Sequence, residues 1–211
     1  MDQTTSGARA ALVHQAFRLE WATAAWILVE AAVGIGAGLA AGSLSLLAFG
    51  LDSVIELISA GVLIWRLQVE LQRGQEFSES AERLASRIGG ALLFALAAYV
   101  VASAGWSLWT RHGEQFSLAG LVMTAAAIPV MAWLARRKLT IAGKIGSRAL
   151  RADAMESVTC SYLAGVVVVG LLVELATGWW WVDAVTSLAI VWFLVREGWE
   201  AWSGEECGEH G

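Results

Sequence analysis

The sequence predicts an all-α integral membrane protein of six transmembrane helices, with both termini cytoplasmic. Of its 211 residues, 57% are hydrophobic and only 16% are charged, where a soluble domain carries about a quarter. Six apolar runs approach the length needed to cross a bilayer, about 20 residues in a helix. Every Lys and Arg except Arg111 falls on one side of the resulting topology.

The runs are roughly Trp21 to Leu39, Leu44 to Trp65, Ile88 to Trp109, Leu118 to Leu134, Met155 to Leu175 and Trp179 to Val195. They are rich in Ala and Leu and do not alternate, which favours helices over strands. The single proline, Pro129, is expected to kink the fourth helix. Many Trp lie near run ends, where interfacial anchors sit. Gly34, Gly38 and Gly42 stand four residues apart and offer a smooth face for close helix packing.

Residues 1–18 form a polar N-terminal segment that does not read as a cleavable signal. Residues 19–202 form the six-helix transmembrane domain, and residues 203–211 a short tail. Ala40 to Ser43 and Ala176 to Gly178 read as tight turns, Arg66 to Arg87 as a polar loop, and Ala135 to Ala154 as a basic loop. That last loop would hold Arg136, Arg137, Lys138, Lys144, Arg148 and Arg151. The excess of Lys and Arg places its side in the cytoplasm. The net charge of −5 is modest, and no basic patch interleaved with aromatics points to nucleic acid. Cys160 lies in an apolar run and Cys207 in the tail, so no disulfide between them is expected.

With the basic residues at the surface, the acids stand out. Asp52 and Glu56 lie in the second span, Glu156 and Cys160 near the cytoplasmic half of the fifth, and Glu30 in the first. A charge at mid-bilayer costs roughly 2.5–3.5 kcal/mol on insertion scales. No Lys or Arg is expected near the centre of any span, so these acids are protonated, face water or bind a cation. Asp52 and Glu56 are i and i+4, and so are Glu156 and Cys160. Each pair therefore points to one helix face. Two such pairs on neighbouring helices can converge three carboxylates and a thiolate on one zinc-like divalent ion, exchanging protons for metal as the pH changes. The competing readings are a protonated packing carboxylate and a cysteine that only fills space. His14, His112 and His210 all fall outside the spans, and the tail reads as solvated.

These residues resemble a known family. The stretch Gly42-Ser-Leu-Ser-Leu-Leu-Ala-Phe-Gly-Leu-Asp52-Ser-Val-Ile-Glu56 is similar to the second span of the cation diffusion facilitators, which are metal/proton antiporters. The stretch Gly146-Ser-Arg-Ala-Leu-Arg-Ala-Asp153-Ala-Met-Glu156-Ser-Val-Thr-Cys160 is similar to their fifth span, and Trp179-Trp-Trp-Val-Asp183 to the start of their sixth. The resemblance runs from about Glu20 to Trp202 and implies a metal site at Asp52, Glu56, Glu156 and Cys160. Glu156 stands where the family usually has His, and Cys160 where it has Asp. This Glu-x-x-x-Cys variant looks like that of a short bacterial subgroup of the family. Asp153 and Asp183 match family positions near helix ends and are expected to act as hydrogen-bonding or gating groups. Glu30 is expected to be a proton-linked group or a protonated packing residue. Most family members carry a cytosolic C-terminal domain, which is not expected here because only residues 203–211 follow the last span. A homodimer would then form through the transmembrane helices.

The resulting expectation is a proton-coupled exporter of divalent metal cations in the bacterial inner membrane, a multi-pass secondary transporter and not an enzyme. Its partners are the metal, protons and the lipid bilayer. Zinc is expected first, then cadmium, cobalt, iron and manganese, as cargo, with no cofactor. The alternative is a proton-coupled exporter of small organic cations, which would need an aromatic-lined cavity at mid-membrane. An intramembrane hydrolase is disfavoured, because no Gly-x-Ser-x-Gly element is present.

Overall fold

The computed structural model describes residues 3–73, 79–110 and 116–203. The described residues form six α-helices and no strand: α1 (Gln3–Ala41), α2 (Leu44–Arg73), α3 (Glu79–Thr110), α4 (Leu118–Ile145), α5 (Arg148–Thr177) and α6 (Val182–Ser203). Five contain stretches long and apolar enough to cross a membrane: Ala11–Ala41, Leu44–Val69, Gly90–Thr110, Leu118–Ile145 and Asp153–Thr177. The sixth, α6, is shorter, and its uncharged stretch is confined between Asp183 and Arg196. Large apolar side chains such as Leu28, Val62, Trp106, Val122, Val169 and Trp192 face outward. Such a surface suits lipid and would be a liability in water.

The core forms from faces repeating every three or four residues. On α1 the buried stripe is Glu20, Thr23, Ile27 and Glu30, followed by Gly34 and Gly38. On α2 it is Phe49, Asp52, Glu56, Ala60 and Leu63. On α5 it is Leu150, Asp153, Ser157, Cys160, Ala164 and Val167. Helix α1 packs on α2 through glycines. A Cβ on Gly38 would lie 2.7 Å from the Leu47 nitrogen, and one on Gly34 2.9 Å from the Gly50 Cα. Gly42 is not part of this face. It sits in the turn before α2 with φ +71°, a conformation glycine adopts without strain.

Several boundaries correct the sequence reading. The expected basic loop over Ala135 to Ala154 is helix except for a turn at Gly146 and Ser147. Gly146 adopts the left-handed conformation at the end of α4, and the Ser147 hydroxyl accepts from the Leu150 N–H to open α5. These are strong stop and start devices, and they leave no room for a loop. Within the expected Arg66 to Arg87 loop, α2 extends to Arg73 and α3 begins at Glu79. Helix α6 starts at Val182 and leaves Trp179 in the connection. The polar segment before Arg18 is helical from Gln3 onward. Helix α4 continues through Pro129, and the Ser161 hydroxyl on α5 donates to the Ile128 carbonyl beside it at 3.1 Å. Arg111, His112, Cys207 and His210 lie outside the described residues.

Candidate functional site

Four layers follow one another along the bundle. At the end that holds the α4–α5 turn, Val13, Ala16, Leu63, Leu67, Ala142, Ile145 and Leu150 pack into an apolar cluster. Next comes a charged layer. Lys138 of α4 is fully buried, with its Nζ 3.1 Å from Glu20 Oε2 of α1 and in direct contact with Asp153 Oδ2 of α5. This corrects two expectations: Lys138 does not lie in a loop, and the acids are not without a basic neighbour. Lys138 lies within electrostatic reach of Glu56 and Glu156 as well. It belongs to the inward stripe Met131, Leu134, Lys138, Ala142 and Ile145. A buried lysine must find counter-charges, and Glu20 and Asp153 supply them.

The third layer holds the acids anticipated from the sequence. Asp52 and Glu56 are buried, at 6% and 7% exposure, and Glu30 and Cys160 are more deeply buried at 0% and 2%. The Cys160 thiol donates to Glu30 Oε2 at 3.7 Å, and the Trp26 indole N–H donates to Glu30 Oε1. The Ser157 hydroxyl lies 3.4 Å from Glu56 Oε1. Glu30, Asp52, Glu56 and Cys160 are within electrostatic reach of one another, so α1, α2 and α5 share one polar centre. Glu156 sits at its edge. The residue is half-buried, while its Oε2 is buried without a hydrogen-bond partner.

Among the described residues, no three His, Cys, Asp or Glu side chains stand close enough to hold a metal ion in this arrangement. The four anticipated donors are gathered at one region of the bundle, and their oxygens and sulfur do not converge on a point. Zinc requires donors at about 2.0–2.3 Å. A shared ion would therefore need these side chains to move.

The last layer is at the opposite end. Asp183, in the first turn of α6, accepts from the Leu44 N–H at 2.7 Å, the Ser45 N–H at 3.1 Å and the Ser43 hydroxyl at 2.6 Å, and also from the Ser45 hydroxyl. It closes the N-terminus of α2, where a carboxylate is favoured by both the free N–H groups and the helix dipole. Asp183 thus accepts hydrogen bonds from the start of α2, while Asp153 is ion-paired with Lys138.

Sequence reasoning missed Glu20, Lys138 and Glu197. Glu197 of α6 is half-buried and within electrostatic reach of Asp52, Glu56 and Glu156. Its spacing carries a signal: it follows the inward-facing Asp183 by about four helical turns, so the two share a face.

The stretch that carries these helices and acids matches a known family model. Residues 21–203 match the cation efflux transmembrane domain. The chain belongs to the cation efflux family. A relative from Synechocystis sp., known as an uncharacterized transporter, is 31% identical over 164 residues, covering 74% of this chain and 52% of that protein. The chain spans about half the length of that relative.

Proposed function

We propose that this chain is a secondary transporter that exports divalent transition-metal cations in exchange for protons. Zinc is the first cargo, ahead of cadmium, cobalt, iron and manganese. The end of the bundle rich in Lys and Arg faces the cytoplasm of a bacterium, and the protein works in the inner membrane as a homodimer packed through its helices. The reading is supported by one observation above all. Buried acids from two helices, Glu30 of α1 and Asp52 and Glu56 of α2, meet a cysteine of a third in the apolar interior, with Glu30 Oε2 3.7 Å from Cys160 Sγ. Unpaired intramembrane acids carry a desolvation cost that a transported cation offsets.

Asp52, Glu56, Glu156 and Cys160 hold the metal. Helices α2 and α5 close on it, and protons arriving from the outer side compete for the same oxygens and sulfur. Metal affinity falls as the pH falls, because each donor must lose its proton to bind. A thiolate among carboxylates favours zinc and cadmium over magnesium and calcium. The described Trp side chains are mostly exposed outward, among them Trp106, Trp109 and Trp192. That distribution weighs against an aromatic-lined cavity for organic cations.

The test is reconstitution in liposomes under a pH gradient, with uptake of each metal followed. Proton-driven zinc uptake is expected for the wild type, and none for Asp52→Ala. The substitution removes a buried carboxylate whose desolvation opposes folding, so the variant should still insert and fold. Metal uptake retained by Asp52→Ala overturns the assignment.

A further inference from the structure

The charged layer at Lys138 is not absorbed by the exchange reaction, yet it lies between the apolar cluster at Val13 and Ile145 and the acids at Glu56 and Glu156. Two carboxylates from different helices, Glu20 of α1 and Asp153 of α5, there face one ammonium from a third. Glu20 is fully buried, and neither of its oxygens makes a hydrogen bond: Oε2 is in ion-pair range of Lys138 without hydrogen-bond geometry, and Oε1 has no partner. Two carboxyl groups and one ammonium share the layer. The group already resident there is a cation, held by a flexible four-carbon stem.

We propose that Glu20 and Asp153 form a second cation station, at which the Lys138 ammonium and the transported divalent metal are alternative occupants. The proposal rests on the exporter reading for the identity of the metal. With Lys138 in place, the bundle is closed at this end by the ion pairs and the apolar cluster beneath them. When Lys138 withdraws, two carboxylates remain for one divalent ion, and their charges balance. Asp153 lies one helical turn from Glu156 on α5, so an ion at the station is a short step from the deeper acids. Lys138 thereby supplies the positive charge of the layer when metal is absent.

Calorimetry on the purified full-length chain in detergent, titrated with zinc or cadmium, tests this in an Asp52→Ala background that disables the deeper site. The Asp52→Ala variant alone is expected to bind no metal at the station. Adding Lys138→Met should create one binding equivalent, at least tenfold tighter than any residual binding, and adding Glu20→Gln as well should remove it. A folded Lys138→Met variant that gains no metal overturns the proposal. Should that variant not fold, a combination without the buried charges serves: Glu20→Cys, Lys138→Met and Asp153→Cys in a Cys160→Ser, Cys207→Ser chain. Cadmium should then produce thiolate charge-transfer absorbance that either cysteine alone does not give; its absence overturns the proposal. Wild-type protein that binds no metal sinks the exporter reading, whereas the gain in Lys138→Met judges the station by itself.

Discussion

Cys160 of α5 and Glu30 of α1 meet across the centre of the bundle, the thiol donating to Glu30 Oε2 at 3.7 Å while the other Glu30 oxygen accepts from Trp26. The contact ties one anticipated metal donor to a carboxylate on a third helix. Glu30 is held on both oxygens, so its position is set before any ligand arrives.

From this follows the first prediction. When Cys160 gives up its proton to bind metal, the Glu30 carboxylate beside it adds negative charge next to the cation, and losing such an outer carboxylate typically weakens metal binding about 10–100-fold. Glu30→Gln should show a loss of that size for zinc or cadmium by calorimetry, with metal binding still detectable. An unchanged affinity would separate Glu30 from the site.

The buried triad gives the second. Removing one partner of a buried ion pair leaves an uncompensated charge and costs about 3–5 kcal/mol. Lys138→Met strands Glu20 and Asp153 and should lower thermal stability by an amount of that order. Replacing all three members, as Glu20→Gln, Lys138→Met and Asp153→Asn, should recover most of it, since neutral groups carry no such penalty. Equal stability losses in the single and triple variants would contradict the pairing.

At the other end, Asp183 holds the first turn of α2 from α6 through backbone and hydroxyl donors. Hydrogen bonds to a charged acceptor each contribute about 1.5–3 kcal/mol. Asp183→Ala should therefore destabilise the chain by about 2–4 kcal/mol, and Asp183→Asn, which keeps one accepting oxygen, by less. Thermal unfolding in detergent measures both, and a reversed order would remove the capping role.

How far the sequence reaches is clear from these residues. The inward faces of Asp52, Glu56 and Cys160 follow from three-and-four spacing within one helix, a local property. Lys138 obeys the same spacing, with Leu134 before it and Ala142 after it, but the run Arg136-Arg137-Lys138 looks like a solvated loop. Only the α4–α5 turn, closed within Gly146 and Ser147, forces that run to stay helical. The Asp183 cap joins residues 138 to 140 positions apart, and no local pattern announces such a contact. Glu156 illustrates the limit from the other side. Its spacing from Cys160 is right, yet the stripe on α5 runs through Asp153 and Ser157 and leaves Glu156 at the edge.

Gly50 and Gly36 supply the last prediction, because they differ in sign. Both are glycines within helices, where alanine is intrinsically favoured by about 1 kcal/mol. A Cβ on Gly36 meets nothing within 4 Å, so Gly36→Ala should raise thermal stability slightly. A Cβ on Gly50 would lie 2.5 Å from the Ile35 nitrogen and 2.8 Å from the Gly34 carbonyl carbon. Those are backbone atoms, which no rotamer change can move aside. Gly50→Ala must push α1 and α2 apart, and such overpacking costs about 1–3 kcal/mol. Asp52 is half a turn further along α2, so the same displacement carries a candidate metal donor away from α1 and Glu30. Gly50→Ala should therefore lose metal affinity together with stability, while Gly36→Ala keeps both. Matching melting temperatures for the two variants would show that α1 and α2 do not touch through these glycines.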